Sequence, residues 1–148
     1  MAATTKDLVQ YIIVRGDLKW PKGALIGNGS HASVAAIFSN MNDQDTTDYL
    51  KDLDNMTKVV LKAENEEQIV NAAKTLEDNS VKHYIWREQP ENIISALATA
   101  PRSREILKPL LTNLLMVLSN NKITVQCVTS TNESNQKTNS VRIYCVYS

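Results

Sequence analysis

Arg15, Lys19, Lys22, Asn28 and His31 lie in one stretch that also carries all four glycines of the chain, Gly16, Gly23, Gly27 and Gly29. Glycine is costly inside regular elements, so its confinement marks a backbone that must turn tightly or approach something closely. Arg15, Lys19 and Lys22 beside such a loop suit phosphate oxygens, or stay solvated. Trp20 can stack on an unpaired base or pack beside Pro21. The His31 imidazole can orient a water, or it can pack at a helix start with its ring nitrogen satisfied. A second locus is Trp86-Arg87-Glu88. There Glu88 can act as a general base or orient a water, or remain a solvated strand-end carboxylate. Arg87 is either its ion-pair partner or a phosphate ligand.

Other chemistries are excluded by spacing. Asp43, Asp45, Asp48, Asp52 and Asp54 lack the glycine and closing bidentate glutamate of an EF-hand loop, and read as an acidic helix face. Gly27-x-Gly29 lacks the third glycine of a dinucleotide fingerprint. No Cys/His spacing suggests zinc. His83 alternates with apolar neighbours and reads as structural.

These residues need elements to hold them. Leu8 to Val14 is a short apolar run rich in β-branched residues, so it predicts a buried strand leading into the glycine stretch. Apolar positions from about Leu25 to Met41 fit a helix, and its small residues permit close packing on a sheet. Asp45 to Leu53 predicts a short second helix, and Thr57 to Ala63 a second strand. Asn65 is an N-cap, Glu66 and Glu67 suit the positive end of the helix dipole, and Gln68 sits at the capping-box position. Ile69, Ala72, Ala73 and Leu76 recur at helical spacing behind it. Val81 to Arg87 predicts a third strand, stopped before Pro90. Ile93 to Thr99 predicts a fourth. Pro101-Arg102-Ser103 opens a last helix from about Arg104 to Leu107, which Pro109 interrupts. The pattern gives an α/β fold of three layers, with helices on both faces of a mixed four-stranded sheet.

The whole chain of 148 residues is long enough for one well-packed domain and short for two. Hydrophobic content of 43% and charged content of 22% are those of a globular protein. Zero formal charge and a pI near 6.7 argue against a surface coated in nucleic acid, though not against a local basic patch. No apolar run reaches the length of a membrane span, and the polar start resembles neither a signal nor a transit peptide. Cytoplasm is the expected compartment, with Cys127 and Cys145 as free thiols. The domain is expected over residues 7–118. From Ser119 the chain turns rich in Asn, Ser and Thr and has no glycine or proline. Within 119–148, Ile123 to Val128 and Val141 to Tyr147 have strand-forming composition. A polar tail or an appended hairpin is expected there, with no assigned function.

The run Tyr11-Ile12-Ile13-Val14-Arg15 with Asp17-Leu18-Lys19, Lys22-Gly23 and Ser30-His31-Ala32 resembles the start of the type II peptidyl-tRNA hydrolase family. The likeness continues through Met56 to Lys62, Asn65-Glu66-Glu67 and Ala98-Thr99-Ala100-Pro101, and spans about Leu8 to Leu111. Trp20-Pro21-x-Gly23-Ala24, Tyr49-Leu50 and Trp86 to Ile93 bring it nearer to the divergent eukaryotic branch described as peptidyl-tRNA hydrolase domain-containing.

The resemblance implies an esterase that frees a peptide from the terminal ribose of tRNA, with water as nucleophile and no metal or organic cofactor. It also implies a cationic surface for the acceptor-stem phosphates, which Arg15, Lys19, Lys22 and Trp20 would supply. Mapped by order, the family's catalytic lysine falls on Ala24, its glutamine on Asn28 and its aspartate on Glu88. The histidine is kept as His31, and Asn92 sits near the expected threonine. Glu88 is then the base or water-orienter. Lys22, Asn28 and His31 serve positioning and oxyanion stabilisation, and Asn92 is a polar accessory. The expected partner is the acceptor end of peptidyl-tRNA, and a homodimer is consistent with the family. Two alternatives stay open: a catalytically impaired module binding tRNA or a protein through the same groove, and an esterase for another small substrate.

Overall fold

The computed structural model describes residues 6–118 and 143–145. The elements run β1 (Leu8–Arg15), α1 (Lys22–Phe38), α2 (Gln44–Leu50), β2 (Thr57–Ala63), α3 (Glu66–Asp78), β3 (His83–Glu88), β4 (Ile93–Thr99), β5 (Arg102–Ser103), α4 (Arg104–Leu118) and β6 (Ile143–Cys145). The four expected strands form the sheet, and β5 and β6 add short pieces to it. The order across the sheet is β3-β4-β1-β2-β6, with β5 pairing the start of β1. β1 and β2 are parallel, as are β2 and β6, while β4 runs antiparallel to both β1 and β3. The sheet is therefore mixed. β6 falls within the expected strand-forming run Val141 to Tyr147; Ile123 to Val128 and Cys127 lie outside the described residues.

Alternation along β1 sends its two sets of side chains to opposite layers. Val9, Tyr11 and Ile13 join Val59, Leu61, Ile69, Leu76, Leu97, Leu107 and Leu111 in the larger core, under α3 and α4. Ile12 joins Ala32, Ala36, Ala96 and Ala98 in a smaller core under α1. Ile69 and Leu76 are fully buried, each contributing about 1.5–3 kcal/mol of transfer free energy. Helix α3 starts as expected: the Asn65 side chain accepts from the Gln68 backbone N–H at 2.9 Å, and Gln68 Oε1 accepts from the Glu64 N–H at 2.8 Å. Such a cap is worth about 0.5–2 kcal/mol.

Two expectations about helices are corrected. α1 begins at Lys22 and not near Leu25, so Gly23, Gly27 and Gly29 are helical and no glycine has positive φ. Gly29 has the close approach that the glycines suggested. A Cβ there would lie 3.2 Å from Val14 Cγ1 and 3.4 Å from Ile12 Cγ2, so the missing side chain lets α1 settle on the sheet. Second, Arg102 and Ser103 form β5 before the last helix, and that helix runs through Pro109 to Leu118. The proline falls in the second turn, where losing one N–H does not end the helix.

The acidic residues around α2 are engaged with cations. Asp43 pairs with Lys82 at 2.7 Å and Arg102 at 3.3 Å, Asp45 with Lys6 at 2.9 Å, and Asp48 with Lys51 at 2.6 Å. Among the described residues no helix is long and apolar enough to cross a membrane. Nor do three His, Cys, Asp or Glu side chains gather there as a metal site would require.

Candidate active site

A cleft of about 240 Å³ opens where the entry to α1 meets the turn after β3. Trp20, Pro21, Ala24 and Asn28 line one wall, and Glu88, Gln89 and Glu91 the other. Ala24, Asn28 and His31 recur at helical spacing, so one face of α1 supplies all three.

Asn28 is 5% exposed, and its amide orientation is fixed by its partners. Nδ2 donates to the Ala24 carbonyl at 2.7 Å, and a carbonyl can only accept. Oδ1 therefore faces Ser95, whose hydroxyl donates to it at 2.5 Å. One Nδ2 hydrogen is left over, and Asn28 lines the cleft, so the side chain can offer it a donor. Ser95 reaches Asn28 because of a bulge. Trp86 pairs with Ala96, but Arg87 pairs with Ile94, so Ser95 has no partner opposite it on β3. Ser95 and Ala96 consequently both turn toward α1, where strict alternation would have sent Ser95 to the other layer.

Glu88 and Trp86 are two residues apart on β3 and share the α1 side. Trp86 Nε1–H donates to Glu88 Oε2 at 2.8 Å. Its ring stacks on His31, with centroids 4.6 Å apart and planes 23° apart. His31, Trp86 and Glu88 are thus linked in series, with Glu88 on the cleft and His31 exposed outside its lining. Among the described residues no side-chain cation lines the cleft. It does adjoin the N-terminus of α1, whose first residue follows Pro21 and which receives no side-chain cap. The positive end of that helix's dipole supplies a fixed positive potential beside it.

The remaining sequence candidates separate. Trp20 lines the cleft. Lys22, on the first turn of α1, and Lys19 are exposed outside the lining. Asn92 is exposed in the β3–β4 turn with φ of 55°, a conformation asparagine tolerates. Its carbonyl accepts from Arg87 Nη1 at 3.1 Å, so Arg87 is turned to the backbone there.

Arg15 is a correction. It is 8% exposed, on the layer opposite α1. Its Nε and Nη2 both reach Asp17 at 2.6 Å, while Nη1 reaches Glu66 at 3.1 Å and the Ile94 carbonyl at 3.0 Å. This fork holds the Asp17 carboxyl below its usual range. Such a committed guanidinium ties β1 to α3 and β4 and is not presented to a phosphate.

The sequence reading also missed a polar cluster on the α1 side of the sheet, away from the cleft. Lys58 Nζ donates to Gln10 Oε1 at 2.6 Å, to Ser33 Oγ at 3.2 Å and to the Tyr49 hydroxyl at 3.4 Å. Every one of these partners is neutral. Burial pushes the ammonium pKa down to about 8, and burial raises that of Tyr49.

Comparison with known proteins bears on this geometry. The model of the peptidyl-tRNA hydrolase PTH2 family matches residues 8–117. Over 108 residues the chain is 40% identical to a human protein named "Putative peptidyl-tRNA hydrolase PTRHD1", covering 70% of this chain and 77% of that one. The mouse protein of the same name is 40% identical over 103 residues, 66% of this chain and 74% of its own. A protein of the archaeon Thermococcus sibiricus named peptidyl-tRNA hydrolase is 31% identical over 115 residues, covering 73% and 96%.

Proposed function

The chain belongs to the peptidyl-tRNA hydrolase PTH2 family, and on that premise we propose that it hydrolyses the ester between a peptide and the 3′ ribose of tRNA. The observation that carries the reading is the single cleft lined by both Asn28 and Glu88 at the start of α1. The Glu88 carboxylate takes a proton from a water as that water attacks the ester carbonyl. The tetrahedral oxyanion is met by the spare Asn28 N–H and by the positive end of α1. Collapse breaks the bond to the ribose oxygen, which takes back the proton held by Glu88. Peptide acid and free tRNA are the products. The residues assigned to this chemistry need no metal or organic cofactor.

Lys19 and Lys22 stand at the rim for acceptor-stem phosphates, and Trp20 for stacking a terminal base. His31 acts through Trp86, and Asn92 shapes the turn that carries Glu88. Residues 7–118 make up the functional domain, working with the translation machinery in the cytoplasm. A homodimer is the proposed assembly. Ile26, Val34 and Phe38 follow one another along α1 at 70%, 67% and 80% exposure, an apolar stripe that a second copy would cover.

Purified protein is expected to release tRNA from N-blocked peptidyl-tRNA, and a fragment ending at Leu118 to match it. A second reading is favoured by one observation: Ala24 brings no ammonium to the cleft, and Lys22 lies outside its lining. A module that binds tRNA without cleaving it would show salt-sensitive RNA binding and no release.

A further inference from the structure

We propose that Trp86 is a positioning residue of this site: its indole N–H sets where the Glu88 carboxylate points, and His31 fixes the indole. The inference rests on the reading of Glu88 as the base. An indole has a single donor and no acceptor, and that donor is spent on Glu88 Oε2 at 2.8 Å. The ring is held on one side by the His31 stack at 4.6 Å, and it packs against the alanine-rich core under α1. These contacts, made outside the cleft lining, constrain its two side-chain torsions and the direction of the N–H with them.

Among the described residues Glu88 has one oxygen engaged, Oε2, and the other available. Arg87, the adjacent cation, is directed to the Asn92 carbonyl. A neutral donor orients the carboxylate without the charge compensation that a guanidinium fork would bring. The alternation of β3 keeps Trp86 and Glu88 on the α1 side. The bulge of β4 lies between the Trp86–Ala96 and Arg87–Ile94 pairs and turns Ser95 to Asn28 on the same side. On this account His31 matters to the reaction without touching the substrate, because it braces the indole.

The experiment removes the donor and keeps the ring. Replacing Trp86 alone by 3-benzothienylalanine exchanges N–H for sulfur at nearly constant shape, and Trp86→Phe removes the donor with a smaller ring. Steady-state hydrolysis of peptidyl-tRNA is measured for each, alone and with Glu88→Gln. The expected result is a fall in kcat of about three- to tenfold, with KM within about twofold, as for an interaction made in the transition state. In the Glu88→Gln background the same replacements are expected to change nothing further. The benzothienyl variant preserves the packing, so it answers even if Trp86→Phe fails to fold. Unchanged kcat, a change confined to KM, or full additivity with Glu88→Gln overturns the role of Trp86 and leaves the hydrolase reading standing. A native protein that releases no tRNA overturns both.

Discussion

The Ser95 hydroxyl donates to Asn28 Oδ1 at 2.5 Å, joining the bulge of β4 to the cleft-lining face of α1. Both residues are buried, and the bond works with the one from Asn28 Nδ2 to the Ala24 carbonyl to hold the amide at both ends. The site therefore depends on a strand residue that never enters the cleft lining.

Ser95→Ala is expected to leave Asn28 Oδ1 buried without a donor, costing about 1–3 kcal/mol of stability. It should also lower kcat for peptidyl-tRNA several-fold, because the amide is then held at one end only, by the Ala24 carbonyl. Urea unfolding and steady-state kinetics on the same preparation check the two effects.

Ala24 stands on the cleft wall where an ammonium would be useful. Ala24→Lys is expected to raise kcat by about tenfold or more, since one well-placed donor to an oxyanion is worth about 10²–10³ in rate. A cation in the first turn opposes the helix dipole, so stability should fall by about 0.3–1 kcal/mol. Kinetics and thermal unfolding read both.

Lys58 makes stability depend on alkaline pH. Its folded pKa of about 8 lies below its ordinary 10.5, with burial as the cause. Between those values the unfolded chain holds a proton that the folded chain has released, so stability rises as pH rises through the window. Below it the folded state carries the full cost of the buried charge. Tyr11 and Tyr49, raised by burial, act oppositely once pH exceeds the ordinary tyrosine value of 10.0. Chemical unfolding from pH 8 to 10 should therefore show a positive slope that Lys58→Met reduces.

Arg15 and the rim lysines should part company in RNA binding. Lys19→Ala and Lys22→Ala are each expected to reduce the salt slope of tRNA binding by about one unit. Arg15→Met should leave that slope alone and lower stability by about 1–3 kcal/mol, its partners being partly exposed. Filter binding across salt concentrations and urea unfolding separate the two.

Much of this arrangement was legible in the residues. The β-branched runs marked four strands, Asn65 with Gln68 marked the start of α3, and the family resemblance, mapped by order, put Asn28 and Glu88 at one site, where both line the cleft. The start of α1 was not legible, because glycines suggest a loop even where helix packing against the sheet tolerates or requires them. The bulge was not legible either: Ile93 to Thr99 reads as an ordinary buried strand, and nothing in its composition marks Ser95 as unpaired. Arg15 looked like a phosphate ligand beside the loop. Only its place in the alternation of β1, with Val9, Tyr11 and Ile13, could have shown that it points into the opposite layer. Lys58 alternates with apolar residues on β2 and carried the same signal, one inward cation among neutral partners.

The central claim is that Glu88 activates water in the cleft it shares with Asn28. Release of tRNA from peptidyl-tRNA by native protein and by Glu88→Gln, at saturating substrate, tests it most directly. The predicted result is turnover by the native chain and a loss of about 10²–10⁴-fold in kcat on substitution, the range expected for a general base. Turnover that survives Glu88→Gln undiminished would contradict it.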